Sequence, residues 1–110
     1  MIVAWIELEP CVGERKAMLE ILQFVERGLR NNPACLSCGV YERLDQNHTV
    51  LYQEKWESER SFHNHIRSSS YLALLNAIEL AQSKPKISFN EVTSTRSMEL
   101  IEVLRSREAE

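Results

Sequence analysis

The first nine residues fit a strand that is apolar on both faces in its first half and alternates with polar residues toward its end, and the pattern then changes to a longer period. Residues 1–9 place Ile2, Ala4, Ile6 and Leu8 on one side, which is the spacing of a β-strand. Residues 14–31 predict a helix, because their apolar positions form the helical stripe Met18, Ile21, Leu22, Val25 and Leu29. Pro33 ends that helix, since the residue before a proline avoids the α region.

The rest of the chain predicts a hairpin, an interrupted helix and a last strand. Residues 34–44 and 48–56 both have strand character, and the polar Asp45-Gln46-Asn47 between them is typical of a turn. Ser58 can cap a helix that turns Phe62 and Ile66 inward, and Ser68-Ser69-Ser70 interrupts it. Residues 71–82 continue as a helix with the inner stripe Leu74, Leu75 and Ile78, and residues 86–92 alternate as the final strand.

This β-α-β-β-α-β order predicts an α+β fold of the ferredoxin-like kind, with an antiparallel sheet and both helices on one face. Val3, Leu36 and Leu51 make the second face apolar as well, and a second copy of the sheet would cover it. We therefore expect a homodimer. Residues 1–96 form the predicted domain. Residues 97–110 form an extension whose segment 98–107 fits a short helix or, as we favour, an extra strand reaching the partner chain.

Composition narrows the classes of partner. The 110 residues carry a net charge of −3 without a cluster of Lys and Arg, which argues against nucleic acid. No apolar run reaches the length of a membrane span, so no membrane partner is expected. The apolar start, residues 1–6, lacks a basic flank and runs into Glu7 and Glu9, which is unlike a signal peptide. We expect a cytoplasmic protein.

The three cysteines Cys11, Cys35 and Cys38 are expected to be reduced thiols, since their number is odd. Cys35-Leu36-Ser37-Cys38 has the C-x-x-C spacing of redox pairs and zinc sites. Residues three apart on a strand point to opposite faces, however, and the chain offers no second ligand pair at matching spacing. We therefore predict two strand cysteines and no metal site.

Five further residues accompany His65 as candidates for chemistry or binding. His65 lies at the margin of the predicted buried stripe, where an imidazole suits proton transfer near neutral pH, or simply packs. Trp56 is either an aromatic wall for a flat substrate or a core residue. Glu54, with Tyr52 on the same face, is either a buried carboxylate that needs a partner or, more commonly, an interface charge. The remaining candidates for substrate binding are Tyr41 and Phe62.

The stretch Glu54-Lys55-Trp56-Glu57-Ser58, followed by His65, Ser68 and Tyr71, resembles the antibiotic biosynthesis monooxygenase family. Pro33-Ala34-Cys35 is similar to that family's Pro-Gly-Cys entry to the second strand. The resemblance covers residues 1 to about 92 and implies a dimeric α+β barrel. Relatives that degrade haem carry an axial His four positions after the aromatic residue, where this chain has Leu75, so haem binding is not expected. A second His of many relatives is replaced by Ser70.

Two classes of function follow from the residues and the resemblance. The first is a cofactor-independent monooxygenase that acts on a small aromatic or quinol-type substrate, with His65 as the catalytic base and Trp56, Tyr52, Tyr41, Glu54 and Phe62 binding the substrate. The second is a non-catalytic dimeric module for a small ligand, or an isomerase on the same fold. With three glycines and no glycine-rich phosphate loop, the sequence predicts no nucleotide or flavin cofactor.

Overall fold

The sheet and its helices follow the predicted order, with one additional helix at the C-terminal end. The computed structural model describes residues 1–45 and 48–109. Its elements are β1 (Ile2–Leu8), α1 (Arg15–Leu29), β2 (Cys35–Glu42), β3 (Val50–Trp56), α2 (Glu59–Arg67), α3 (Tyr71–Glu79), β4 (Lys86–Glu91) and α4 (Met98–Ala109). Gln46 and Asn47 of the predicted turn lie outside the described residues.

The four strands form one antiparallel sheet in the order β2-β3-β1-β4. Ile2 of β1 lies opposite Trp56 of β3 on one side and Glu91 of β4 on the other. The strand order and the helices on one face confirm the predicted α+β, ferredoxin-like fold. The sheet of one chain is open rather than closed into a barrel.

The hydrophobic core lies between the sheet and helices α1 to α3. Strands β1 and β3 turn alternate residues toward the helices, so Ile6, Leu8 and Val50 are buried against Met18 and Leu22 of α1. Helix α3 adds Tyr71, Leu74 and Ala77. The predicted inner position of Leu75 is wrong, because that side chain is exposed and Ala77 takes the inner place one turn after Leu74.

The segment after β4 is a helix, so the extra strand favoured from the sequence is wrong. Its apolar positions at 98, 100, 101, 103 and 104 fit both periods, and the structure takes the helical one. All five of those side chains are largely exposed. None of the helices in the described part of the chain is long and apolar enough to cross a membrane.

A β-bulge in β2 places the two nearby cysteines on the same face of the sheet. Cys35 lies opposite Trp56, and Ser37 lies opposite Lys55, the neighbour of Trp56 in β3. Two steps along β2 thus match one step along β3, so Leu36 is the extra residue. Cys38 consequently lies opposite Glu54 and faces the helices, as Cys35 does. The prediction that the two cysteines point to opposite faces is therefore wrong, because the bulge restores their phase.

Candidate active site

Three candidate side chains of β3 point into the interior beneath the helices. Tyr52, Glu54 and Trp56 alternate with Gln53 and Lys55, and this period of two turns all three toward α1 and α2. Each is almost fully buried, and only 1% of Glu54 is exposed. The interpretation of Glu54 as an interface charge is therefore wrong, because its strand face is covered by the helices of its own chain.

The Glu54 carboxylate accepts three hydrogen bonds from neighbouring side chains. The Tyr52 hydroxyl donates to Oε2, and Trp56 donates from Nε1 to Oε1 at 2.9 Å. The third partner is His65, whose Nε2 lies 3.0 Å from Oε2. Three donors around one carboxylate offset the loss of water that burial imposes on a charge. Glu54 thus joins two residues of its own strand to a helix.

Helix α2 brings His65 to this carboxylate because its start is fixed at Ser58. The Ser58 hydroxyl accepts from the Ser61 backbone N–H at 3.1 Å, and Ser61 Oγ accepts from the Ser58 N–H at 3.3 Å. His65 follows Phe62 by three positions, and both are buried. Ile66 is 36% exposed, so the prediction that it faces inward is wrong; the inner face runs through His65 instead.

The imidazole ring of His65 is held between two aromatic rings. Its centroid lies 4.6 Å from that of Trp56 in a stacked arrangement, and 5.0 Å from that of Tyr71 edge to face. A carboxylate can only accept, so Nε2 of His65 carries the proton that faces Glu54. In the neutral ring the lone pair is then on Nδ1. The arrangement supplies one oriented imidazole with a basic nitrogen.

Tyr52 connects the Glu54 carboxylate to the thiol of Cys38. The Cys38 Sγ donates to the Tyr52 hydroxyl at 3.4 Å. Burial, assisted by the nearby Glu54 charge, raises the pKa of Cys35 to about 11. Burial also raises the pKa of Cys38 to about 12, although its bond to Tyr52 opposes the change. Both residues are therefore protonated thiols rather than reactive thiolates at neutral pH.

Two tyrosines beside the carboxylate also resist ionisation. Burial is the main cause of a raised pKa for Tyr52, and the Glu54 charge adds to it. The same two causes raise the pKa of Tyr71 to about 12. The hydroxyl of Tyr52 consequently remains a donor to Glu54 over the whole physiological range of pH.

A cavity of about 480 Å³ opens beside His65 and Trp56. Its apolar wall comes from Phe24, Val25 and Leu29 of α1 together with Trp56. The polar lining is Asn32, Ser61, Asn64, His65, Ser68 and Ser70, with no Lys, Arg, Asp or Glu among the lining residues. The volume falls within the usual range for small-molecule sites, about 300–1,000 Å³. The site can therefore accept a small ring system next to an imidazole.

The structure brings only some of the predicted site residues to this cavity. His65 and Trp56 line it, while Tyr52 and Glu54 lie behind them. Phe62 is buried away from it against Phe89, with ring centroids 5.1 Å apart. Tyr41 is on the opposite face of the sheet, half-exposed beside Trp5.

Sequence reasoning missed the two asparagines of the lining. Asn32 follows the end of α1, and Asn64 directly precedes His65 in α2. Beside Pro33, Asn32 fits the end of a helix, and nothing in the sequence pattern relates it to a cavity. Asn64 is adjacent to His65 in the sequence, which is the one sign that it could share the cavity. Consecutive residues of a helix point in different directions, however, so adjacency alone does not predict a common cavity. No group of three metal-ligating side chains occurs in the described ranges.

The fold and the site together define a ferredoxin-like α+β protein with a buried carboxylate–imidazole pair at a small-molecule cavity. A family model described as antibiotic biosynthesis monooxygenase matches residues 1–77. The chain belongs to this family. The match includes β1 to β3, α2 and most of α3, and therefore every residue of the Tyr52, Glu54, Trp56 and His65 cluster.

Solved structures share the fold at low sequence identity. Rv0793 from Mycobacterium tuberculosis has a TM-score of 0.78 at 20% identity, covering 87% of this chain and 98% of its own. A proposed antibiotic biosynthesis monooxygenase from Deinococcus radiodurans has a TM-score of 0.80 at 19% identity, covering 89% and 98%. A conserved protein from Methanosarcina mazei has a TM-score of 0.75 at 18% identity, covering 82% and 90%. The comparison with curated proteins gives no match.

Proposed function

We propose that this protein is a cofactor-independent monooxygenase that oxidises a small aromatic or quinol-type substrate with dioxygen. The observation that carries the proposal is the His65–Glu54 pair, 3.0 Å apart, at the wall of a cavity that also presents the Trp56 ring. Membership of the antibiotic biosynthesis monooxygenase family supports the reaction class. In this proposal the substrate itself supplies the electrons that reduce dioxygen.

His65 acts as the general base. Since Nε2–H donates to Glu54, the Nδ1 lone pair is available to take a proton from the substrate. The imidazolium that forms is stabilised by the carboxylate behind it, while Glu54 itself keeps its charge. Trp56 supports the imidazole by stacking and offers an aromatic wall to the substrate.

The reaction balances without another reductant for a methylene group between two aromatic rings. Proton transfer to His65 leaves a carbanion, which gives electrons to dioxygen and forms a carbon–oxygen bond as a hydroperoxide. Loss of the second carbon-bound proton breaks the oxygen–oxygen bond, and hydroxide leaves and becomes water. The net change is R₂CH₂ + O₂ → R₂C=O + H₂O. A quinol is oxidised by the same sequence, starting from its phenolic proton and attacking dioxygen through a ring carbon.

We also propose that the working form is a homodimer. The open face of the sheet carries Trp5, Tyr41 and Leu51, which are partly or half exposed, opposite the face covered by the helices. A second copy would cover these side chains across a two-fold axis. Members of the family are commonly dimeric, which supports the same arrangement.

The test is oxygen consumption with a panel of quinols and anthrones, comparing His65→Gln with His63→Gln. His63 lies on the same helix but is exposed, 3.6 Å from Glu59, and does not line the cavity. We expect one dioxygen consumed per substrate, a loss of about 10²–10⁴-fold in rate for His65→Gln, and a wild-type rate for His63→Gln. No turnover across the panel, or equal rates for the two variants, would contradict the proposal.

A further inference from the structure

The cavity offers hydrogen-bond donors to a ligand from only two side chains, although six of its lining residues are polar. The three serines use their hydroxyl protons within the protein. Ser61 Oγ donates to the Ser58 carbonyl at 2.9 Å, and Ser68 Oγ donates to the His65 carbonyl at 2.6 Å. Because the Ser68 proton is engaged, Ser70 Oγ must be the donor in its 2.9 Å contact with Ser68 Oγ.

The ring N–H donors of Trp56 and His65 are engaged as well. Trp56 donates Nε1–H to Glu54 at 2.9 Å, and His65 directs Nε2–H to the same carboxylate. The remaining polar residues are Asn32 and Asn64. Asn32 Oδ1 accepts the Ala34 backbone N–H at 3.0 Å, which fixes the side chain and, among the residues that the structure describes, leaves both Nδ2 protons unused. Asn64 is exposed, and within residues 1–45 and 48–109 its side-chain amide has no hydrogen-bond partner.

The charge distribution around the cavity disfavours anionic ligands. No Lys or Arg lines it, so a carboxylate or phosphate on the ligand would lose water without gaining a permanent counter-charge. The Glu54 carboxylate lies directly behind His65 and would repel an anion further. The apolar wall of Phe24, Val25, Leu29 and Trp56 favours a flat hydrocarbon surface.

We propose that Asn32 and Asn64 determine specificity by binding an oxygen atom of an uncharged, flat aromatic ligand, and that the cavity rejects ligands carrying a carboxylate or phosphate. The proposal rests on the proposed function in that the ligand bound here is the substrate. The fixed Nδ2 of Asn32 donates to a carbonyl or hydroxyl oxygen. Asn64 can donate or accept, which suits an oxygen whose charge increases when His65 removes a proton.

The test measures binding rather than turnover. Calorimetric titration compares 2-naphthol with 6-hydroxy-2-naphthoate, which share a ring system and differ by one remote carboxylate. We expect the wild-type protein to bind 2-naphthol at least about tenfold more tightly. Equal affinities, or no binding of either probe, would overturn the proposal.

Two substitutions assign the preference to the named residues. Asn32→Asp retains an acceptor for the Ala34 N–H but removes the donor, and should weaken 2-naphthol binding at least about tenfold. Asn64→Lys adds a cation to the lining and should reverse the preference toward the carboxylate probe. The matched controls are Asn76→Asp and Asn76→Lys on an exposed face of α3 outside this cavity. Variants that match their controls would overturn the assignment.

Failure of this proposal and of the proposed function are distinguishable. Selective binding of 2-naphthol without oxygen consumption by any substrate would contradict the monooxygenase and leave the ligand specificity intact. Turnover of quinols with equal binding of the two naphthalene probes would overturn the specificity and leave the monooxygenase intact.

Discussion

The Nε2 atom of His65 lies 3.0 Å from Oε2 of Glu54, and both side chains are buried. One residue belongs to a strand and the other to the helix that follows it, so the pair connects the sheet to the helical layer. A buried pair of this kind leaves an uncompensated group when one partner is removed. Removing either partner should therefore lower the free energy of unfolding.

Replacing Glu54 by Gln should destabilise the protein. Three donors point at the carboxylate, and an amide presents its own donor to at least one of them. We expect the free energy of unfolding to fall by about 2–4 kcal/mol, measured by urea denaturation. Glu57→Gln, at an exposed position beyond the same strand, is the control and should change it little. Equal effects of the two substitutions would contradict the hydrogen-bond network around Glu54.

Cys35 and Cys38 should react slowly with iodoacetamide in the folded protein. Their pKa values are raised to about 11 and about 12 from the usual 9.0, mainly by burial. The thiolate fraction at pH 8 is then about 10²–10³-fold lower than in the unfolded chain. Peptide mass spectrometry after timed labelling, with and without urea, measures the two rates. Equal labelling in both conditions would contradict the raised values.

Stability should decrease as the pH rises above 9. Cys35 and Cys38 keep their protons in the folded protein up to about pH 11 and 12, whereas the unfolded chain releases them near 9.0. The unfolded state therefore binds fewer protons in this window, and alkali favours unfolding. The double variant Cys35→Ser, Cys38→Ser lacks these groups and should lose less stability between pH 8 and 10.5. Parallel urea midpoints for the two proteins would refute this cause.

A charge on the open sheet face should separate the dimer. Leu51 lies on the face opposite the helices, between β1 and β2. The wild-type chain should sediment at about twice its 12.8 kDa mass, with an interface above about 2,000 Å² in total. Leu51→Lys should sediment as a monomer. Leu72→Lys, exposed on α3 in the helical layer, should remain dimeric. A wild-type monomer at micromolar concentration would contradict the predicted assembly.

Removing residues 97–110 should weaken the dimer and leave the domain of residues 1–96 folded. The apolar side chains of α4, among them Met98 and Ile101, are largely exposed in the single chain. We expect them to gain cover from the partner, so truncation should raise the dimer dissociation constant at least about tenfold. Sedimentation over a range of concentrations measures this, with circular dichroism as the check on folding. An unchanged constant would remove α4 from the interface.

The element order was predictable because each strand and helix has its own period. The β3 alternation also predicted that Tyr52 and Glu54 share one face of the sheet, as they do in the structure. The sequence favoured an exposed Glu54 because a carboxylate is rarely buried without hydrogen-bond donors. The pattern did not show that Tyr52 and Trp56 of the same strand donate to it. Helix α4 was assigned wrongly because five closely spaced apolar residues fit both periods.

The bulge at Leu36 and the cavity asparagines were beyond sequence reasoning for a different reason. The extra residue of a β-bulge does not alter the hydrophobic pattern of a strand in a recognisable way. The sequence therefore could not show that Cys35 and Cys38 lie on the same face of the sheet. Asn32 lies in the loop after α1 and Asn64 lies in α2, and only the packing of these two segments brings both to one cavity.

The capping box at Ser58 limits insertions and deletions between Ser58 and His65. His65 follows Ser58 by seven positions, which is about two turns of helix, and each residue turns the helix by about 100°. One residue inserted or removed between these positions would rotate the imidazole out of reach of Glu54 and bring Asn64 or Ile66 round in its place. The start of α2 is therefore an angular reference for the base, and the distance from Ser58 to His65 along the chain matters as much as the identity of either residue.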